Sequence, residues 1–222
     1  MNGAEQAKSA RRDNATVTGP FANLLRCTLA RGDALYETSD DFQSLFLACE
    51  GFFKTCVHSP HHGTQIVDFH FPGDILGVDG FGDRTHKSDL IALTPASVIV
   101  VPNDELMPMS RDGNPFEYGL GRTFGKQFMR HQNSKLLLGQ LQVHERLVAF
   151  LLDISERMAY AGFHASEFAL PMNQLEIASF LGCTAPTISR TLKDLDSQRL
   201  ISMERQNIQI IDFDGLHKMS HL

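Results

Sequence analysis

Residues 173–195 read NQLEIASFLGCTAPTISRTLKDL, and the reading of this stretch decides the fold. Asn173 offers a side-chain acceptor three residues ahead of Glu176, the form of a capping box, so a helix begins here. It runs to Leu181, and Gly182 ends it by supplying the left-handed turn. Thr184 stands as the N-cap of a second helix. Pro186 falls in that helix's first turn, where a missing backbone N–H costs nothing because it would be unpaired anyway. Two helices joined by a short glycine turn form a helix-turn-helix. Ile201–Met203 and Ile208–Ile211, around Arg205-Gln-Asn207, read as a small hairpin, or wing.

Helical spacing places Pro186, Ser189, Arg190 and Lys193 on one face of the second helix. Ile188, Leu192 and Leu195 form the opposite, apolar stripe. A DNA major groove admits one helix and presents base edges to hydrogen-bonding side chains near its start. Arg190 can give two parallel donors to guanine, and Ser189 can reach a base or the backbone. Thr184, Thr187 and the N-terminal N–H groups suit phosphate. A helix pair of this shape that packs on something else, with Ser and Arg merely solvated, is the alternative.

Upstream the period changes twice. Residues 24–109 read as short strands, Ser44–Cys49, Phe52–His58, Thr64–Phe71, Asp89–Leu93 and Ser97–Val101, punctuated by Glu50-Gly51, Gly63, Pro72-Gly73-Asp74 and Thr94-Pro95. Strands at this spacing argue for an antiparallel sandwich or barrel. Across 115–142, Phe116, Leu120, Phe124 and Phe128 make an i, i+4 ridge, followed by Leu136, Leu137, Leu138 and Leu141. So much apolar surface predicts one face on the β domain and another on a second copy, with an imperfect seam at 124, 128, 131, 135 and 138; a wholly intramolecular helix is the alternative. His144–Tyr160 is amphipathic through Leu147, Phe150, Leu151, Ile154 and Met158. The expected organisation is a disordered arm (1–20), a β domain (21–112), a dimerisation helix (113–142) and a winged helix-turn-helix (143–222).

The net charge of −6 gives no general support for a nucleic-acid partner, and 171–222 hold five Lys/Arg against six Asp/Glu. Any basic contact surface must therefore be local. No apolar run is long enough to span a bilayer, and residues 1–20 lack the apolar stretch of a signal peptide. Cys27, Cys49, Cys56 and Cys183 form no CxxC pair, so reduced thiols in a cytoplasm are expected.

The run Leu170–Leu192 resembles the DNA-binding signature of the CRP/FNR family of bacterial transcription regulators, its FNR branch above all. Gly162-Phe163, Glu167–Met172, His144–Phe150, Gly73–Gly77 and His86-Lys-Ser88 match the same branch, and the likeness covers roughly 24–215. The resemblance implies an α+β chain: an antiparallel β-roll of the cyclic-nucleotide-binding jelly-roll kind, a long dimerisation helix and a C-terminal winged helix-turn-helix. It implies a homodimer on a two-fold symmetric, TTGAT-like operator, and an RNA polymerase contact through Gly77–Arg84. In the family a Glu, a Ser and an Arg read the half-site; Ser189 and Arg190 hold two of these places, and Pro186 holds that of the Glu. Proline cannot accept a bond from a cytosine amino group, which predicts altered reading at one base pair, about 1–3 kcal/mol of discrimination.

Less is expected of a cofactor. The family's Fe–S members use three N-terminal cysteines and one in the β-roll; here residues 1–20 hold no cysteine and the β-roll position is Ile99. An Fe–S cluster is therefore not expected. Cyclic-nucleotide members grip their ligand with an Arg-Ser pair and a Glu; Gly82–Asp89 lacks that pair in register, so cAMP is not expected, although Arg84 and Lys87 are available to an anion. His58, His61, His62 and His70 form a histidine-rich patch that suits metal or haem in an alternative, ligand-gated reading. Cys183, just ahead of Thr184, is either a thiolate favoured by the helix N-terminus and open to oxidation or a small residue filling the turn. The reading from another class is a cupin-like metalloenzyme. It leaves the helix-turn-helix unexplained, and no general base or nucleophile constellation supports an enzyme.

Overall fold

The computed structural model describes residues 11–13, 24–61, 63–104 and 115–220, in two compact units, 1–129 and 130–222. Among its described residues the first unit has nine short strands: β1 (Arg11–Asp13), β2 (Arg26–Leu29), β3 (Ala34–Tyr36), β4 (Ser44–Glu50), β5 (Phe53–Ser59), β6 (Gly63–His70), β7 (Ile75–Leu76), β8 (Asp89–Ala92) and β9 (Ala96–Pro102). They form two antiparallel sheets, ordered β1-β2-β9-β4-β7 and β3-β8-β5-β6. The expected β-roll is present. The arm read as disordered departs from expectation at Arg11–Asp13, which pairs with Arg26–Thr28; residues 1–10 and 14–20 lie outside the described residues.

Strand alternation explains both faces of the larger sheet. Phe46 and Ala48 of β4, with Val98 and Val100 of β9, point between the sheets and join Leu35, Phe53, Leu76 and Leu90 in the core. Leu45, Leu47, Ile99 and Val101 point the other way, into a second apolar layer with Phe42 and Ile75. Two buried faces require a continuous hydrophobic run, and Val98-Ile-Val-Val101 is one. Gly51 joins β4 to β5 at φ 77°, and a Cβ there would lie 2.4 Å from the Pro95 carbonyl oxygen, so no other residue fits the turn without moving its neighbour.

Helix α1 (Pro115–Gln140) follows the strands. Phe124 packs against the second apolar layer. The Gln127 amide is buried beside it and donates to the Ile75 carbonyl at 2.8 Å. Phe124, expected in a seam between copies, thus serves its own β unit, while Phe128 and Met129 stand 60% and 57% exposed. The side chains of Phe116, Leu120, Lys135, Leu136, Leu137 and Leu138, also part of that expectation, lie outside the described residues.

The second unit contains α2 (Val143–Tyr160), β10 (Glu167–Ala169), α3 (Gln174–Leu181), α4 (Ala185–Ser197), β11 (Ile201–Glu204), β12 (Asn207–Ile210) and α5 (Phe213–Ser220). All five apolar residues expected inside α2 are buried, and they share a core with Ile177, Leu181, Ile188, Leu192, Leu195, Ile201, Ile208 and Leu216. The wing has a third strand that the sequence reading did not place, in the antiparallel order β10-β12-β11. Helix α5 was also not expected; Asp212 opens it by accepting from the Gly215 N–H at 2.9 Å.

Candidate nucleic-acid interface

The helix-turn-helix forms as its local signals require. Asn173 Oδ1 accepts from the Glu176 N–H at 3.0 Å, and Glu176 Oε2 accepts from the Asn173 N–H at 2.8 Å, a complete capping box. Gly182 closes α3 at φ 64°, ψ 42°, and the Cys183 N–H reaches back to the Ala178 carbonyl at 3.0 Å. Thr184 is the N-cap of α4: its hydroxyl accepts from the Thr187 N–H at 3.4 Å and shares a 2.9 Å bond with the Thr187 hydroxyl. The two threonines proposed for phosphate therefore also hold each other in place.

Ile188, Leu192 and Leu195 are all buried, which turns the other side of α4 outward. Pro186, Arg190 and Lys193 are exposed and Ser189 is half-buried. Among the described residues neither Arg190 nor Lys193 is engaged in an ion pair. The guanidinium is free to meet a base edge. Of the six contact candidates, Thr184 caps α4 and the other five lie on it, with Thr187 and Ser189 half-buried. The sequence reading gave no role to Arg199 and Arg205, two further exposed guanidinium groups held at φ 58° after α4 and at the wing turn. Unusual backbone at a non-glycine residue carries no sequence signal there.

A second residue passed over is Arg146 on α2. Its Nε donates to the Leu141 carbonyl at 2.8 Å and its Nη1 to the Leu181 carbonyl at 2.9 Å. Leu181 is the last residue of α3, so the cation satisfies an unpaired carbonyl at the negative end of that helix. The turn of the motif is thereby tied to α2.

Of the two readings of Cys183, the small residue filling the turn agrees better with its surroundings. Burial pushes its thiol above the ordinary value, against a smaller lowering by the Arg146 charge.

The described histidines of the β unit do not gather into a metal-binding group. His58 binds the Thr64 hydroxyl and the Asp89 carboxylate, His70 binds the Thr55 hydroxyl at 2.6 Å, and His62 lies outside the described residues. Among the described residues no group of three or more His, Cys, Asp or Glu side chains is arranged to hold a metal ion.

A helix with a free, hydrogen-bonding face, presented by a turn and flanked by a three-stranded wing, defines a DNA-binding protein. Comparison with known proteins agrees. A family model described as Crp-like helix-turn-helix domain matches residues 145–219, and one described as Cyclic nucleotide-binding domain matches 26–112. The chain is 30% identical to the transcriptional regulatory protein btr of Bordetella pertussis, over 87% of this chain and 80% of that one. It is 31% identical to the anaerobic regulatory protein of Haemophilus influenzae, over 86% and 75% respectively. Among solved structures, FixK2 from Bradyrhizobium japonicum superposes with a TM-score of 0.77 at 25% identity, covering 88% of this chain and 96% of that one. The chain belongs to the CRP/FNR family of DNA-binding transcription regulators.

Proposed function

We propose that the protein binds as a homodimer to a two-fold symmetric operator with TTGAT-like half-sites, altered opposite Pro186, and regulates transcription in the cytoplasm without an Fe–S cluster or cAMP. The outward face of α4 carries this reading: Pro186, Arg190 and Lys193 are exposed, with Ser189 half-buried beside them, opposite the buried Ile188, Leu192 and Leu195. The exposed Phe128 and Met129 on α1 support a second copy, because their own unit leaves them uncovered. The turn Gly77–Arg84, with Phe81 exposed, is the surface offered to RNA polymerase.

The residues present do not fit an Fe–S cluster. Ile99, at the position of the β-roll ligand, is buried among Leu45, Ile75 and Val101. Cys27 faces the space between the sheets, Cys49 the opposite side of the larger sheet, Cys56 lies in the smaller sheet and Cys183 in the turn of the helix-turn-helix. Four thiolates are needed at one place. The reading is accordingly of a regulator whose DNA binding needs no Fe–S cluster.

The test is DNA binding by reduced, ligand-free protein to a duplex with two inverted TTGAT-like half-sites and to a scrambled duplex, at two salt concentrations. Discrimination that persists at the higher salt is expected, because phosphate contacts alone weaken steeply there. Equal affinity for both duplexes would overturn the reading. Sedimentation of wild type against Phe128→Glu tests the dimer, with dissociation expected for the variant.

A further inference from the structure

The β unit holds a half-buried carboxylate, Asp79, with an unusual number of donors. Gly77, at φ 88°, leads into the single turn Val78–Gly80 and aims Asp79 back into the fold. Asp79 Oδ2 accepts from the Lys87 N–H at 2.9 Å, the Ser88 N–H at 3.1 Å and the Ser88 hydroxyl at 2.7 Å. Oδ1 accepts from His86 Nδ1 at 3.1 Å and the Tyr36 hydroxyl at 3.3 Å. Of these donors' side chains, His86 is 0% exposed, Tyr36 2% and Ser88 3%. The Tyr36 and His86 rings stack at 3.6 Å, which fixes both donors in direction. The Lys87 ammonium turns away, to Asp83 at 2.9 Å and Thr85 at 3.1 Å.

Two successive backbone N–H groups with a hydroxyl beside them make an oxyanion cradle, the arrangement that receives phosphate groups in proteins. This cradle lies within the segment matched by the Cyclic nucleotide-binding domain model. A phosphodiester does not fit it as it stands. A carboxylate has about four acceptor positions, and five donors already use them. A second anion entering would sit beside a like charge with no donor left to meet it.

We propose that the Asp79 carboxylate is a tethered stand-in for a ligand's oxyanion: it fills the β-roll cradle, keeps its donors in the bound arrangement, and excludes phosphate-bearing ligands from the native chain. A tethered group competes at an effective concentration of millimolar or above, so cellular phosphate esters do not displace it. Charge at Asp79 is consistent with this. Burial opposes it, but the bonds from His86, Ser88 and the Lys87 N–H outweigh burial and hold the carboxyl below its ordinary range. Burial first, and then the Asp79 charge, push the Tyr36 phenol well up, so it remains a donor.

The experiment compares thermal unfolding of wild type, Asp79→Ala and Asp79→Asn in sodium formate, in sodium phosphate and in sodium chloride of equal ionic strength. No DNA is involved, so its result is separate from that of the DNA-binding test. Asp79→Ala is expected to melt several degrees lower and to recover in a saturable manner with formate or phosphate, by mass action on the folded state. Wild type and Asp79→Asn, whose cradles are filled, are expected to follow the chloride control. Saturable stabilisation of wild type by phosphate or by cyclic AMP, or no recovery of a folded Asp79→Ala by either anion, would overturn the proposal. Should Asp79→Ala not fold in chloride, refolding in formate decides: recovery supports the stand-in role, and failure, or saturable heat from wild type titrated with cyclic AMP, refutes it.

Discussion

Pro186 offers the sharpest test of how the helix reads DNA, through Pro186→Glu. The substitution is conservative for the fold. Pro186 is exposed, it stands in the first turn of α4, and the N-cap bond there is made by the Thr187 N–H rather than by the proline. The new N–H joins others that are unpaired in every helix start, and the new carboxylate sits at the positive end of the helix, worth about 0.3–1 kcal/mol in its favour. Stability should therefore stay within about 1 kcal/mol of wild type. On DNA the change is larger. A glutamate one helical turn ahead of Arg190 presents an acceptor to a cytosine amino group on the face that Ser189 and Arg190 share. That contact is worth about 1–3 kcal/mol, or roughly five- to 150-fold between a matching and a mismatched base pair. The assay is fluorescence anisotropy on four operators that differ only at that symmetric base pair. Wild type is expected to distinguish them weakly, and Pro186→Glu to prefer one of them by at least about fivefold. If wild type already discriminates that strongly at this pair, or if the variant remains indifferent while staying folded, position 186 does not face a base and the assignment of the helix face is wrong.

Three further outcomes are expected. Arg146→Ala removes two charge-assisted bonds to the Leu141 and Leu181 carbonyls and should cost about 2–4 kcal/mol in urea unfolding of the C-terminal unit; Arg146→Lys should recover about half of it, and a loss below about 0.5 kcal/mol would mean that water replaces the guanidinium. Because burial raises the Cys183 thiol, wild type and Cys183→Ser should lose DNA affinity by the same factor in peroxide, and selective loss in wild type would restore the redox reading. At Asp89, burial is outweighed by bonds from His58 and from the Thr38 N–H and hydroxyl, and the folded carboxyl lies below its ordinary value. Its stabilisation is therefore complete above the unfolded value, about pH 4, and is lost as pH falls through the folded one. The advantage of wild type over Asp89→Asn in melting temperature should shrink below about pH 4, and a gap that widens there would contradict the sign.

The helix-turn-helix was legible because each of its signals is local. Asn173 and Glu176, Gly182, and Thr184 and Thr187 act across three or four residues, and the buried stripe of α4 repeats within a single helix. The strands of the β unit were legible for the same reason, since glycine turns bound apolar runs. Strand β10 was not: Glu167-Phe-Ala169 has too few residues to show a period, and it is a strand only because β12 offers it a free edge. For Cys183 the sequence leaves two readings open, because a helix N-terminus is visible in it, whereas the packing that desolvates the sulfur is not.

The cradle around Asp79 shows the same divide more strongly. In sequence, Arg84 and Lys87 are the residues of this loop available to an anion, because basic side chains are the visible sign of such a site. In the fold, the backbone N–H of Lys87 makes the contact while its ammonium turns to Asp83, and the partners come from residues 36, 79 and 86–88, joined only when β3 pairs with β8. Backbone donors leave no trace in composition, and an acidic residue in a loop reads as solvated. An anion site already filled by its own chain therefore looks, in sequence, like the absence of one. A carboxylate that enters from within is met here by five donors, two of them backbone N–H groups, without an Arg-Ser pair.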